Sequence, residues 1–521
     1  MSRDRVVIIG AGIGGLAAAV DLCAQGMDVT VVEKAATPGG KLSEQSIDGR
    51  GIDSGPTVFT MRWVFETLFE RAGTSLDRHL TVRRAETLAR HSWPDGSTFD
   101  LHADLDRSAE AVGDLSGADE ARRFRAFAAR AAKIYEVLER PFIQRPKPTI
   151  AGLTLDIGLH RPLDQWSIMP YRSLWSELGT YFRDPRLRQL FGRYATYAGC
   201  SPFKSPATLM LIAHVEQQGV WLVDGGMQRI PEALTGLIQS LGGTVRTGQA
   251  CTEILTDRGR ASGVVLSSGE RIKARTVIVN ADPSAVAQGR FGTAAARAVS
   301  ATPPRARSLS AVTFAFTAEA RDIPLVRHNL YFSPDYVAEF DDLHAGRAPS
   351  IPTVYICAQD RADDDGPPQC EGPERFFAIT NAPPNGDVHT WSPEEIDLCR
   401  SRAFASIRAS GVDLRPHLPT MAVTTPDSFE KRFPGTGGAL YGRAGHGWDG
   451  AFRRPGARTR TPGLYLCGGA THPGAGVPMA ALSGRQAALA VMADRASMRR
   501  SAPAATPGGM STPSVTTAVS A

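Results

Sequence analysis

An apolar run, Val6-Val7-Ile8-Ile9, leads directly into Gly10-Ala11-Gly12-Ile13-Gly14-Gly15. The spacing predicts a buried strand over 6–9, a helix over 14–25 that Gly26 ends, and a second strand over 29–32. Gly10, Gly12 and Gly15 make a G-x-G-x-x-G pattern. Its first glycine allows the tight turn, the second lets the backbone approach a pyrophosphate, and the third lets helix and strand pack closely. Gly14 lies in the same turn, and the phosphates sit on the positive end of the helix. Glu33 ends the second strand about 20 residues on, where a carboxylate accepts ribose hydroxyls. Glycines alone make only a turn. With a strand before them, a helix after them and an acid in place, they specify a dinucleotide-binding βαβ unit.

The surrounding composition narrows the classes. At 521 residues the chain is too long for one small core, so more than one domain is expected. A net charge of +5, from 58 basic and 53 acidic residues, gives no case for nucleic acid, and is compatible with weak attraction to an anionic membrane surface. The seven cysteines are scattered with no C-x-x-C pair, which argues against a disulfide framework and a metal site and for a reduced, cytoplasmic setting. Arg3 and Arg5 before the apolar run imitate a signal peptide, but the glycines break the run, and the nucleotide-binding reading accounts for all of it. No stretch of about 18 to 20 apolar residues occurs, so no spanning helix is expected.

Further along, helical spacing is expected to dominate from 85 to 219, interrupted by Pro141, Pro146 and Pro148 as a hinge or loop would be. A turn and helix are expected over 225–243, strands over 244–279, and strand-like pieces at 312–316 and 354–356 within a mixed stretch. A last buried strand over 464–467 precedes a glycine-rich turn and a helix to about 494. Residues 499–521 are rich in Ser, Thr, Pro, Ala and Gly and are expected to be a disordered tail.

Two more segments separate FAD from NAD. Pro38-Gly39-Gly40-Lys41 follows Glu33 and resembles the extension after the second strand in amine-oxidase-like flavoproteins. There the glycines let the backbone lie against the phosphates and a basic residue faces them. At the far end, Cys467-Gly468-Gly469-Ala470-Thr471-His472-Pro473-Gly474-Ala475-Gly476-Val477 is a second glycine-rich helix start. FAD needs protein along its ribityl chain and flavin as well as at its adenosine, so a return to the first unit from so distant a segment suits FAD.

The run from Gly469 to Gly476 resembles the C-terminal signature of the phytoene-desaturase-type carotenoid desaturases. Asp53-Ser54-Gly55-Pro56-Thr57 resembles their segment near the flavin, and Gly219-Val220-Trp221 with Asp224-Gly225-Gly226-Met227 their central motif. Asn280-Ala281-Asp282 resembles the end of their FAD-domain sheet. The resemblance spans residues 6–494. Pro478-Met479-Ala480 departs from the Pro-Gly-Val of phytoene desaturases. The blocks 90–96 and 190–197 are instead similar to the hydroxyneurosporene (methoxyneurosporene) desaturases of purple bacteria.

That resemblance implies an α/β fold: a Rossmann-type FAD domain from 1–85, 220–300 and 455–495, with an inserted α+β substrate and membrane-docking domain from 86–219 and 301–454. It implies FAD held by Gly10, Gly12, Gly14, Gly15, Glu33, Gly39, Gly40, Lys41, Gly55, Pro56, Thr57, Gly468, Gly469, His472, Gly476 and Val477. His472 is expected to meet the phosphates or the flavin edge, or else to shape the turn. The implied reaction places a 3,4 double bond in a 1-hydroxy or 1-methoxy acyclic carotenoid such as 1-hydroxyneurosporene. Hydride passes to flavin, and oxygen or a quinone is the final acceptor. No catalytic acid or base is identifiable. A phytoene desaturase or carotene isomerase would share every FAD motif, and a non-redox prenyl carrier on this fold is a rival of another class.

Leu174, Trp175, Leu178 and Phe182, then Leu187, Leu190, Phe191 and Tyr194, form apolar faces at helical spacing, with arginines mostly elsewhere. Such a pair suits a membrane interface or ordinary packing on a core. A bilayer-dissolved carotenoid favours the interface, hence a peripheral position on the cytoplasmic side of a bacterial inner or intracytoplasmic membrane.

Overall fold

The computed structural model describes residues 5–158, 168, 171–320, 322–364 and 366–500. Strand Arg5–Ile9 lies at the centre of a five-stranded sheet in the order Thr244–Arg246, Asp28–Val32, Arg5–Ile9, Thr276–Val279, Leu464–Leu466. Every pairing is parallel. Val6, Val7, Ile8, Val277, Ile278 and Val279 are wholly buried, as parallel strands covered on both faces must be. One face is covered by helices Ile13–Ala24, Arg229–Ser240 and Val477–Arg500. The other is covered by the three-stranded sheet of residues 251–273. Chain order reverses on either side of Arg5–Ile9, and in open α/β sheets ligands sit off the strand ends at such a point.

A second, seven-stranded sheet runs Ala422–Thr424, Ser310–Ala318, Glu374–Ala382, Val354–Ala358, His328–Tyr331, Thr87–Ser92, Thr98–His102. Its pairings are antiparallel except His328–Tyr331 with Thr87–Ser92. Helix Pro393–Ala409 covers one face, packing Phe404 and Ile407 on Phe314, Phe316 and Phe376. The opposite face carries Ala315, Cys357 and Phe377 toward Ile47 and Ile52 of the hairpin formed by Glu44–Ile47 and Arg50–Asp53. Arg361 and Glu374, both almost fully buried, pair at 2.6 Å and lock the chain after Val354–Ala358 to the next strand. Breaking one half of such a pair costs about 3–5 kcal/mol.

The helices expected over 85–219 begin later than the spacing indicates. Thr87–Ser92 and Thr98–His102 are strands, joined through Pro94-Asp95-Gly96, with Gly96 at φ +82°. Their side chains complete the large sheet, and that long-range pairing overrides local propensity. The proline segment becomes a π-helical turn, Glu139–Gln144, followed by helix Ile150–Ile157. The last helix runs to Arg500, beyond the expected end near 494 and into the first residues of the expected tail. Residues 501–521 lie outside the described residues.

The last helix crosses the first at Gly484, where a Cβ would stand 2.1 Å from the Gly14 carbonyl oxygen and 2.9 Å from the Ala18 nitrogen. We expect Gly484→Val to push the helices apart and destabilise the protein by about 1–3 kcal/mol or more, read as a lower melting temperature and a reduced FAD content on purification.

Candidate functional site

The first helix begins at Ile13 with Gly12 as its N-cap, and no side chain caps it. Its leading N–H groups are therefore available to an anion. Gly10 has φ +98°, in the region that favours glycine. A Cβ on Gly15 would lie 2.2 Å from the Gly10 carbonyl oxygen, whereas one on Gly12 meets only Asn280 Nδ2 at 3.0 Å before 3.8 Å. Gly15 is thus demanded by the protein's own packing, and Gly12 is kept free of a side chain by Asn280. The Glu33 carboxylate accepts from the Ala11 amide at 2.7 Å and the Ala35 amide at 2.8 Å. These bonds hold it beside the turn, and each oxygen retains a lone pair for a ribose hydroxyl.

Gly39 donates its amide to the Ala11 carbonyl at 2.8 Å, and a Cβ on Gly40 would stand 3.1 Å from Gly12 Cα. The Gly39-Gly40 segment therefore lies directly on the first turn. Lys41 points elsewhere: its ammonium donates to the Leu440 carbonyl and lies 5.4 Å from the Phe433 ring. Burial pushes it down to about 8, against the opposing pull of Asp282. Gly55 packs on the Lys41 carbonyl so closely that a Cβ would fall 1.9 Å from its oxygen. Asp53, just before, accepts from the Met227 amide at 2.7 Å, which joins the 53–57 segment to the 224–227 turn. Pro56 is exposed, and Thr57 Oγ1 shares a 2.6 Å hydrogen bond with Tyr355.

The two ends of the chain meet on Asn280. Its Nδ2 donates to the carbonyls of Gly10 and Gly12, each at 3.1 Å. Its Oδ1 is 2.5 Å from where a Cβ on Gly468 would be and 2.9 Å from one on Gly14. Gly468 donates to Ser483 Oγ at 3.2 Å, and Thr471 Oγ1 donates to the Gly468 carbonyl at 2.7 Å. Gly469 has no close neighbour on its Cβ side, Gly476 takes φ +113°, and the last helix starts at Val477. His472 is committed away from a phosphate role at Nε2, which donates to the Phe142 and Arg145 carbonyls at 2.9 and 3.2 Å. Burial pushes it down to about 4, so it is neutral, and its buried Nδ1 has no partner among the described residues.

Two residues escaped the sequence reading as site members. Asn280 was legible only as the residue ending a buried strand. Arg454 carried no signal: its guanidinium, buried, donates to the Tyr441 and Gly469 carbonyls at 2.8 and 2.9 Å, with no carboxylate at ion-pair distance among the described residues. It brings positive charge to the second glycine turn.

These residues fit FAD. Two glycine-rich helix starts share one asparagine, a carboxylate stands beside the first turn, and the side where Gly469 lacks a Cβ has no neighbour closer than 3.9 Å. A family model for flavin-containing amine oxidoreductases matches residues 13–492. The chain belongs to that family.

As a flavin-containing oxidoreductase it takes FAD as its cofactor. It is 47% identical over 519 residues to a hydroxyneurosporene desaturase of Rubrivivax gelatinosus, covering 99% of this chain and 98% of that one. It is 42% identical over 496 residues to the hydroxyneurosporene desaturase of Cereibacter sphaeroides, covering 95% and 99%. An oxidoreductase from Methanosarcina mazei shares the fold, with a TM-score of 0.61 at 16% identity over 94% of this chain and all of that one.

In this flavoprotein the expected docking face is overturned. Leu174, Leu178, Phe182, Leu187, Leu190, Phe191 and Tyr194 are all buried, and Phe182 and Phe191 stack at 5.0 Å on helix Ala118–Leu138 through Phe127. Their periodicity records core packing. Among the described residues no helix is long and apolar enough to cross a membrane.

Gly12→Val should lose FAD, because its side chain would crowd Asn280 and the Gly39–Gly40 segment at the first turn, where a Cβ already stands 3.0 Å from Asn280 Nδ2. Asn280→Ala removes two hydrogen bonds from the first turn and should weaken FAD about tenfold, the equivalent of roughly 1.4 kcal/mol. Flavin fluorescence titration of the apoprotein, alongside circular dichroism, checks both.

Proposed function

We propose that this flavoenzyme oxidises the C-3,4 single bond of 1-hydroxy or 1-methoxy acyclic carotenoids, such as 1-hydroxyneurosporene, to a double bond in carotenoid biosynthesis. The observation that carries the reading is near full-length likeness to hydroxyneurosporene desaturases at 42–47% identity, on a chain whose two glycine turns close on one site. We take residues 1–85, 220–300 and 455–495 as the part that holds FAD, and 86–219 with 301–454 as the part that holds substrate. Gly10, Gly12, Gly14, Gly15, Glu33, Gly39 and Gly40 would hold the adenosine and pyrophosphate. Gly55, Thr57, Gly468, Gly469, Gly476 and Val477 would line the ribityl and flavin portion, with Arg454 supplying charge.

FAD, when bound, supplies the hydride acceptor. The chain's own residues position the bond and keep water away. The developing positive charge is delocalised along the polyene, and the second hydrogen leaves as a proton. Oxygen or a quinone then takes the electrons. On the inner face of the seven-stranded sheet, past the stretch that the hairpin covers, the partly covered Tyr355 and Ile379 are where we place the polyene. A cavity of about 240 Å³ lined by Leu88, Leu101, Phe124, Phe127 and Phe191 would take one stretch of it.

A peripheral position on the cytoplasmic face of the membrane fits a bilayer-dissolved substrate. With the 174–194 face buried, exposed apolar side chains at Ile150, Leu155, Tyr171 and Trp448 are the contact we favour. Leu155→Glu combined with Ile150→Glu should cut co-sedimentation with anionic liposomes severalfold while leaving FAD content intact. Unchanged sedimentation would rule that face out.

The substrate reading is tested by expression in cells that accumulate phytoene, neurosporene or 1-hydroxyneurosporene. The chromophore should lengthen by one double bond with 1-hydroxyneurosporene and change little with phytoene. Stepwise conversion of phytoene to lycopene would instead show a phytoene desaturase.

A further inference from the structure

The desaturase reading sets a geometric demand. In a 1-hydroxy carotenoid oxidised at C-3,4, one methylene separates the carbinol carbon from the reacting bond. Whatever hydrogen-bonds the hydroxyl must stand about 3 Å from that oxygen, and so within a few ångströms of the flavin end of the site.

One polar group on the inner sheet face meets that demand. Tyr355 sits mid-strand, opposite Leu330 on one side and Ile379 on the other, with Cys357 next along the same face. His328 lies on the same face, opposite Cys357, and the Tyr355 hydroxyl is held from two sides. Thr57 Oγ1 lies 2.6 Å away and His328 Nδ1 2.7 Å away. Thr57 belongs to the 53–57 segment, which Gly55 seats against Lys41 and Asp53 ties to Met227. The hydroxyl is therefore fixed to the cofactor side of the structure. The tyrosine keeps part of its surface uncovered.

Two observations point to a ligand there. The Tyr355 ring is only partly covered, and its hydroxyl, within reach of Thr57, His328 and the Cys357 thiol, can both donate and accept. His328 is 3% exposed, and burial pushes it down to about 3, so the ring is neutral. Its Nε2 has no hydrogen-bond partner among the described residues, an arrangement that native structures rarely leave unused. The guanidinium of buried Arg193 lies 5.9 Å from the Tyr355 ring centre and adds positive potential.

We propose that Tyr355, held between Thr57 and His328, receives the terminal hydroxyl of the carotenoid and sets the enzyme's preference for hydroxylated over unsubstituted chain ends. The inference rests on the desaturase reading and goes beyond it by naming a specificity-determining residue. The bonds that break and form are those of the oxidation already given; Tyr355 changes no bond.

The test uses purified holoenzyme with 1-hydroxyneurosporene and neurosporene in detergent micelles. Tyr355→Phe keeps the ring and removes the hydroxyl. The ratio of kcat/KM for the two substrates should fall about tenfold to a hundredfold toward one. Dissociation constants from quenching of tryptophan fluorescence should move the same way, with weaker binding of the hydroxylated carotenoid. Thr57→Val, which leaves the phenol but frees it from one partner, should lower the ratio less, and it decides the matter if Tyr355→Phe takes up no FAD. An unchanged ratio, or equal losses on both substrates, overturns the assignment. Wild-type enzyme that oxidises neither carotenoid sinks the desaturase reading instead, and the binding constants then still decide for or against Tyr355.

Discussion

Asn280 holds together two turns that lie far apart in the chain. Each of the glycine-rich segments is a backbone loop whose carbonyls and amides need partners, and neither can supply them alone. The side-chain amide satisfies Gly10 and Gly12 on one side and fills the space beside Gly14 and Gly468 on the other. Glycine at 14 and 468 is what permits this approach, since a Cβ on Gly14 would fall 2.8 Å from the Gly468 backbone. The last helix then packs on the first, and the parallel sheet gains its fifth strand.

The polar groups of the inner sheet face have a different logic. A buried hydroxyl or imidazole weakens a core unless it is fully hydrogen-bonded. The Thr57–Tyr355–His328 chain is bonded internally but leaves His328 Nε2 without a partner among the described residues. A wall of Leu, Phe and Cys would be more stable and would hold a plain polyene equally well. Keeping a phenol in its middle makes sense where one end of the substrate is itself polar.

Helices Leu174–Tyr181 and Pro185–Gly192 show the reach of periodicity. An apolar stripe says that a face is covered, and nothing in the stripe tells lipid from protein. Here Phe127 and its helix cover it. Arg188 Nε and Nη2 donate to the Trp175 carbonyl at 3.0 and 2.9 Å, with the guanidinium over its ring.

Local sequence determined the βαβ unit, the glycine positions and Glu33, because each follows from backbone sterics and charge within a few dozen residues. The second helix start at Val477 was equally legible, for the same reason. The seven-stranded sheet was not: Thr87–Ser92 pairs with His328–Tyr331, Arg90 meeting Asn329 far along the chain, and no local pattern encodes a partner that distant. Asn280, Arg454 and Tyr355 likewise look ordinary in sequence. Their roles come from which backbone carbonyls and hydroxyls stand within about 3 Å of them, and only the folded arrangement of strands from both ends of the chain decides that.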